Sequence, residues 1–399
     1  MTLRLFEGYG VEIECMIVDA QTLDVKPVCD ELLRLAAGEI TGETEQGGLC
    51  WSNELVLHVV ELKTNGPAPS LAPLPDLFQR HVLRIEALLE PLGARLLPTG
   101  MHPWMDPGRE MHLWPHDNGP VYAAFHRIFD CTGHGWANLQ SAHLNLPFSG
   151  DSEFGRLHAA VRLVLPLLPA LAASSPLVEG RATGLLDNRL DVYRTNARHV
   201  PIVSGKVVPE RAFTRAAYET RIFEPLYAAI GPLDPDGILR HEWLNARGAI
   251  ARFDRDAIEI RVIDTQECPL ADLSVAAITV AAVRALTEER WTTVEEQQSF
   301  TEDELLPHLL ACIRDAEQAH IGDRRFARQF GWGGGRGGEF WAHLAAELPP
   351  APPFDRPLQV ILEEGTLARR ILRSTAPPRL VYGELADCLR EGRMFHGVP

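Results

Sequence analysis

Glu12 and Glu14 stand two residues apart in the stretch GVEIECMIVD, residues 10–19. A period of two puts Val11, Ile13, Cys15 and Ile17 on one face of a strand. The two glutamates fall on the other face, about 7 Å apart. Carboxylates side by side within an apolar run repel each other and are costly to bury unpaired. They need a cation, an arginine or water, and a divalent metal is the hypothesis against which the rest of the chain is read.

The same design recurs twice. In QSAHLNL (140–146), Ala142, Leu144 and Leu146 share one face and Ser141, His143 and Asn145 the other. In DAIEIRVID (256–264), Ile258, Ile260 and Val262 oppose Glu259 and Arg261. Strands of this kind predict an antiparallel sheet with helices on one face and a polar cavity on the other. A fourth stretch, WSNELVLHVVELK (51–63), reads as one strand ending at the Asn65-Gly66-Pro67 turn. Glu54 and Glu61 are seven apart there, so a regular strand sends them to opposite faces unless a bulge intervenes or Glu54 precedes the strand. Glu61 lies within the apolar run and is the better buried ligand; a plain salt bridge to Lys63 is the alternative. Several carboxylates with one histidine suit hard cations such as Mg²⁺ or Mn²⁺. Such ions are natural counterions of a nucleoside triphosphate, and Arg261 beside Glu259 is placed to hold a phosphate.

Around these strands the periodicity predicts helices over 30–39, 77–92, 153–171, 218–230, 273–289, 303–320, 339–348 and 381–390. PTGMHPWMDPGREMHLWPHD (98–117) reads as a long loop anchored by Met101, Trp104, Met105, Met111 and Trp114. Its His102, His112 and His116, with Asp106 and Asp117, match no zinc spacing. The Cys131–His134 pair reads as structural. The glycine run at 331–338 lacks the ending of a phosphate loop and reads as a connector. A net charge of −16 argues against nonspecific nucleic-acid binding and against anionic membrane. Seven scattered cysteines without a CxxC predict free thiols in a reducing compartment. MTLRLFEGYGVE lacks a signal-peptide run, and the apolar stretch 161–176 carries three prolines. A cytoplasmic protein is expected.

In order along the chain, GVEIECMIVD, NELVLHVVELKTNGP, PTGMHPW, SAHLNL, ASSPLVEGRATGLLDNR and AIEIRVIDTQ resemble the motifs of the second glutamate–cysteine ligase family, the carboxylate–amine ligases of the glutamine synthetase-like superfamily. The matches run from about residue 8 to 290. The resemblance implies an α+β fold whose six-stranded antiparallel sheet forms a funnel with helices outside. With no internal repeat, low-complexity linker or clean boundary, the chain reads as one domain over 1–399, catalytic by the resemblance, with a helical part from 290 to 399. The resemblance implies ATP-dependent amide formation with Mg²⁺ or Mn²⁺, on glutamate or a similar carboxylate and an amine or amino acid such as cysteine. Carried over, Glu12, Glu14, Glu61 and Glu259 would be metal ligands, with Glu54 less secure. His143 would contact metal or phosphate, with Asn145 beside it on the nucleotide side. Arg261 would hold the γ-phosphate, and Arg189 and Arg194 the substrate carboxylate or a phosphate. Ser141 replaces the first histidine of the H-x-H common in the family, which leaves the second substrate open. Rival readings are a guanidino-kinase-like phosphotransferase, a metallohydrolase, and a non-catalytic nucleotide- or amino-acid-binding protein on the same fold. A homodimer is in keeping with the abundance of apolar helices.

Overall fold

A computed structural model describes residues 3–399; Met1 and Thr2, at the start of the N-terminal stretch read above, lie outside the described residues. Its centre is one antiparallel sheet of eight strands. These are β1 (Gly10–Asp19), β2 (Glu43–Gln46), β3 (Leu49–Asn53), β4 (Val59–Thr64), β5 (Ala94–Leu97), β6 (Ser141–Pro147), β7 (Ala249–Arg252) and β8 (Ala257–Asp264). The spatial order is β2-β3-β4-β1-β6-β8-β7, with β5 also paired to β1. The expected count of six is therefore corrected to eight. The extra strands are short: β2, β3, β5 and β7 have four or five residues each, too few to display an alternating pattern.

A second correction concerns 51–63. The stretch is a hairpin: β3 ends at Asn53 and β4 begins at Val59. Residues 54–58 turn without glycine or proline. Distant partners hold the turn instead. Leu57 N–H donates to His112 O at 2.9 Å, Trp114 N–H donates to Leu55 O at 3.0 Å, and His58 Nε2 lies 2.9 Å from Ala137 O. The 98–117 loop is thus part of the scaffold. Met101 and Met105 are fully buried, and His102 Nε2 contacts Leu23 O at 2.7 Å.

One face of the sheet is the core. Val11, Ile13, Cys15 and Ile17 are each at most 2% exposed. They join Leu144, Leu146, Ile258 and Ile260 against α1 (Leu74–Leu89), α2 (Gly150–Val164) and α3 (Pro269–Thr287). By length and composition α3 could cross a bilayer, yet 78% of its apolar window is buried inside this fold. The other face of β1 changes character along its length. It carries Glu12 and Glu14, then Met16 and Val18, which are fully buried. The C-terminal residues Leu367, Val381, Leu385 and Phe395 cover that apolar half. The segment after 290 therefore closes one end of the polar face. All seven cysteines are free and buried.

Leu144 sits between Val11 of β1 and Ile260 of β8 and is fully buried. Leu144→Ala is expected to cost about 2–5 kcal/mol of unfolding free energy by urea titration. A loss below about 1 kcal/mol would show that the layer is not closely packed.

Candidate active site

Register fixes the polar face. Glu14 pairs with Glu61 across β1 and β4, Glu12 pairs with Lys63 and with His143, and Asn145 pairs with Glu259. Directly opposed residues share a face, so four adjacent strands bring these side chains into one row. His143 stands in the middle. Its Nδ1 lies 3.0 Å from Glu12 Oε2 and 3.7 Å from Glu259 Oε1, and its Nε2 lies 3.7 Å from Glu14 Oε1. Asn145 Nδ2 donates to Glu12 Oε1 at 3.0 Å. The Ser141 backbone N–H donates to Glu14 Oε2 at 2.7 Å, and Ser52 Oγ donates to Glu61 Oε2 at 2.6 Å. Three cations stand at the flanks. Lys63 Nζ lies 3.2 Å from Glu61 Oε2, Arg252 Nη1 3.3 Å from Glu259 Oε2, and Arg261 Nε 3.0 Å from Glu259 Oε1.

Crowding of like charges displaces the titrations. Burial and the Glu12 charge push Glu61 up to about 7, against the pull of Lys63 and Ser52. Enclosure and the charges of Glu61 and Glu14 push Glu54 well above the carboxylate range. Burial would also raise Glu12, but the hydrogen bond and charge of His143 outweigh it and hold Glu12 well below that range. For His143, burial opposes the charge, while Glu12 and Glu14 favour it and raise the group to about 9. The acids thus favour the imidazolium, and a metal ion taking one of the ring nitrogens would displace its proton.

The same atoms can hold metal. Ligand atoms of Glu12, His143 and Glu259 lie within 4.8 Å of one another, as do those of Glu14, Glu61 and His143. Asn145 Oδ1 is a buried acceptor with no donor. An oxygen-rich set with one imidazole and an orphan acceptor fits hard divalent ions. Glu54 belongs to neither group; it lies half-buried in the β3–β4 turn and faces a cavity.

That cavity, of about 270 Å³, opens beside the row; Glu14, Ser141, His143, Arg261, Arg189 and Glu54 line its polar part. Arg189 is fixed by Asp264, a residue to which the sequence pattern assigns no role. Its Nε donates to Asp264 Oδ1 at 2.5 Å, and Asp264 Oδ2 accepts from Ser174 N–H and Ser175 Oγ, both at 2.8 Å. The register shift between Ile260 and Ile263 brings Asp264 opposite Ser141 and so onto the polar face with Glu259 and Arg261. Only a bulge lets residues 259, 261 and 264 share one side. Arg194 stands outside the site: it is exposed and paired with Asp191 at 2.9 Å. Tyr193, Asn196 and Trp243 line the cavity and were not anticipated. They come from short helices and turns, too brief for periodicity to mark a face.

Residues 9–329 match the family model described as glutamate–cysteine ligase family 2. The chain belongs to that family. An Archaeoglobus fulgidus protein that carries no functional name is 35% identical over 280 residues, 70% of this chain and 75% of its own. A Rubrobacter xylanophilus protein provisionally named glutamate–cysteine ligase 2-3 is 33% identical over 188 residues, 46% of this chain and 47% of its own. The crystal structure of a glutamate–cysteine ligase from Francisella tularensis in complex with AMP has a TM-score of 0.62 at 12% identity, covering 98% of this chain and 90% of that one. A bifunctional glutathione synthetase from Pasteurella multocida gives 0.59 at 13% identity, covering 97% of this chain and 52% of that one. At such identities the likeness is one of fold: the glutamine synthetase-like arrangement of antiparallel sheet and helices.

The packing around Asp264 and the charges around His143 can each be tested. A Cβ at Gly100 would lie 2.5 Å from Asp264 Cγ. Gly100→Ala is therefore expected to dislodge the Arg189 anchor and lower stability by about 1–3 kcal/mol. An unchanged unfolding midpoint would show that Asp264 has room to move. The second test concerns pH. His143 rises from 6.5 to about 9 and Glu61 from 4.5 to about 7 on folding, so each contributes stability at low pH that fades as pH rises through its folded value. In EDTA the melting temperature should fall between about pH 4.5 and pH 9, first through Glu61 and above about pH 6.5 through His143, and His143→Gln should flatten the part above pH 6.5. A flat wild-type profile contradicts the assignment.

Proposed function

We propose that this chain is an ATP-dependent carboxylate–amine ligase that joins a carboxylate, best the γ-carboxylate of glutamate, to an amine with release of ADP and phosphate. The observation that carries the reading is the pair of ligand groups meeting at His143, beside a cavity that His143, Glu14 and Arg261 line. Glu12, Glu259, Glu14, Glu61 and His143 would hold Mg²⁺ or Mn²⁺. When bound, such ions neutralise phosphate charge and orient the transferred group.

The chain's own residues then have defined tasks. Arg261 holds the oxygens of the phosphoryl group in transit, its orientation set by Glu259. Arg189, pinned by Asp264, presents a fixed positive charge to the acid substrate. Asn145 and Ser141 hold Glu12 and Glu14 in place so that the ligand row does not collapse. The acid's oxygen bonds to the γ-phosphorus as the bond to ADP breaks. The amine nitrogen next bonds to the acyl carbon, and the carbon–oxygen bond to phosphate breaks. Of the ammonium's three protons, one stays on the amide, one leaves with phosphate and one passes to water. Protein side chains form no covalent bond; positioning and charge carry the rate. The whole chain acts as one catalytic domain in this reading.

The test is release of ADP and phosphate with Mg²⁺-ATP and L-glutamate, with and without a panel of amines. Both products and an amide by mass spectrometry support the ligase. ADP without phosphate would transfer the assignment to a phosphotransferase, and nucleotide binding without turnover to a binding protein. Arg261→Ala is expected to lower kcat by about 10³-fold or more. Glu12→Gln and Glu259→Gln are expected to weaken Mn²⁺ binding in calorimetry while leaving the fold intact. Wild-type ADP release in any of the three variants would count against these roles.

A further inference from the structure

The cavity has a second end that the reaction above does not use. Phe125, Trp136 and Trp243 form a ring cluster at its wall, with centroids 5.4 Å apart for Phe125–Trp136 and 5.9 Å for Phe125–Trp243. Val56, Leu139 and Leu244 line the cavity with them. Neighbours hold the rings in place: Trp136 Nε1 donates to Asn196 O at 3.0 Å, and Phe129 packs behind at 5.3 Å from Trp136.

The charges at the wall are as informative as the rings. Among the described residues, Arg189 and Arg261 are the only arginine or lysine side chains lining the cavity. Arg189 is engaged by Asp264 and its terminal nitrogens lie 3.3–3.4 Å from Arg261 O. Arg261 stands beside Glu259. Both therefore serve the acid and phosphate side. Asn196, which lines the cavity beside Trp136, presents an acceptor instead. Asn196 Oδ1 is buried without a partner, and the Asn196 amide is oriented by its Nδ2 donating to Gly135 O at 2.9 Å. Glu54 lines the same cavity.

An amino acid used as the amine brings an α-carboxylate that needs a cation, and burying it unpaired is costly. An amine without a carboxylate brings N–H donors and an apolar body. The unpaired Asn196 Oδ1 suits a donor, and the ring cluster suits the body. The volume of about 270 Å³ is at the small end of ligand sites, which fits a one-ring molecule better than a nucleoside.

We propose that the second substrate is a primary amine with an aromatic or bulky apolar body and no carboxylate, and that cysteine is a poor one. This rests on the ligase reading, and the experiment separates the two. Hydroxylamine, with Mg²⁺-ATP and L-glutamate, traps an activated carboxylate as a hydroxamate whatever the amine pocket selects. In parallel, kcat/KM is measured for phenethylamine, L-phenylalanine and L-cysteine by phosphate release and mass spectrometry. The expected result is hydroxamate formation, with phenethylamine preferred over both amino acids by about 100-fold. Leu139→Lys sets a cation at the apolar end and should narrow the phenethylamine-to-phenylalanine ratio by about tenfold. Hydroxamate with cysteine equal or better overturns the inference and leaves the ligase standing. Phenethylamine competing with ATP would put the nucleobase among the rings and overturn it as well. No hydroxamate and no ADP removes the ligase reading and the inference together.

Discussion

Five carboxylates gathered on and beside one enclosed sheet face are the constraint around which this molecule is arranged. Glu12, Glu14, Glu61 and Glu259 come from three strands, and Glu54 from the turn beside them. Their mutual repulsion is opposed by Lys63, Arg252, Arg261 and His143, and by hydrogen bonds from Ser52, Ser141 and Asn145. Unmatched charge of this kind lowers stability, so something else must hold the strands in register. That is the opposite face, where Val11, Ile13, Leu144, Ile258 and Ile260 are nearly inaccessible beneath three helices. One layer makes the fold and the other bears the strain. A one-residue slip would exchange them, which is why register is so firmly specified here.

The bulge in β8 ties this row to the loops. Without it, Asp264 would turn into the core, where a carboxylate finds no partner. With it, Asp264 becomes the common acceptor for Ser174, Ser175 and Arg189, and so fixes the 174–194 segment to the sheet. Gly100 makes room for that carboxylate, and its N–H donates to Ser174 Oγ at 2.8 Å. The loop around Gly100 and the Ser174–Ser175 corner thus converge on one buried oxygen pair, although neither reaches the acidic row itself.

Much of the row is legible in the sequence because alternation survives within a single long strand. β1, β6 and the first half of β8 show their two faces residue by residue, and that alternation alone puts Glu12, Glu14, His143, Asn145, Glu259 and Arg261 on one side. Legibility ends where local signals do. The turn after Asn53 contains Val56, 3% exposed, and His58, fully buried, and it is stabilised by residues 112–114 and 137. Nothing local marks it, so two short strands read as one and Glu54 looks like a misplaced strand residue. Asp264 is hidden by the bulge, which breaks the parity used to assign faces. Arg194 and Arg189 lie in the same turn-rich segment, and only tertiary contacts separate the buried one from the exposed one.

The division of labour between strands and loops bears on what can vary in such a protein. The charged row depends on register across four strands, and moving any one member disturbs its neighbours. The apolar end of the cavity depends on Phe125, Trp136 and Trp243, which come from three separate helical or turn segments outside the sheet. Those segments can change shape without shifting a strand. In the proposed reaction, phosphoryl chemistry and amine selection would be held by different parts of the chain, joined at the cavity wall by Glu54, Arg189 and Tyr193. On that reading, a change of amine would require new rings or a new charge in the loops and would leave the sheet's acids where they are.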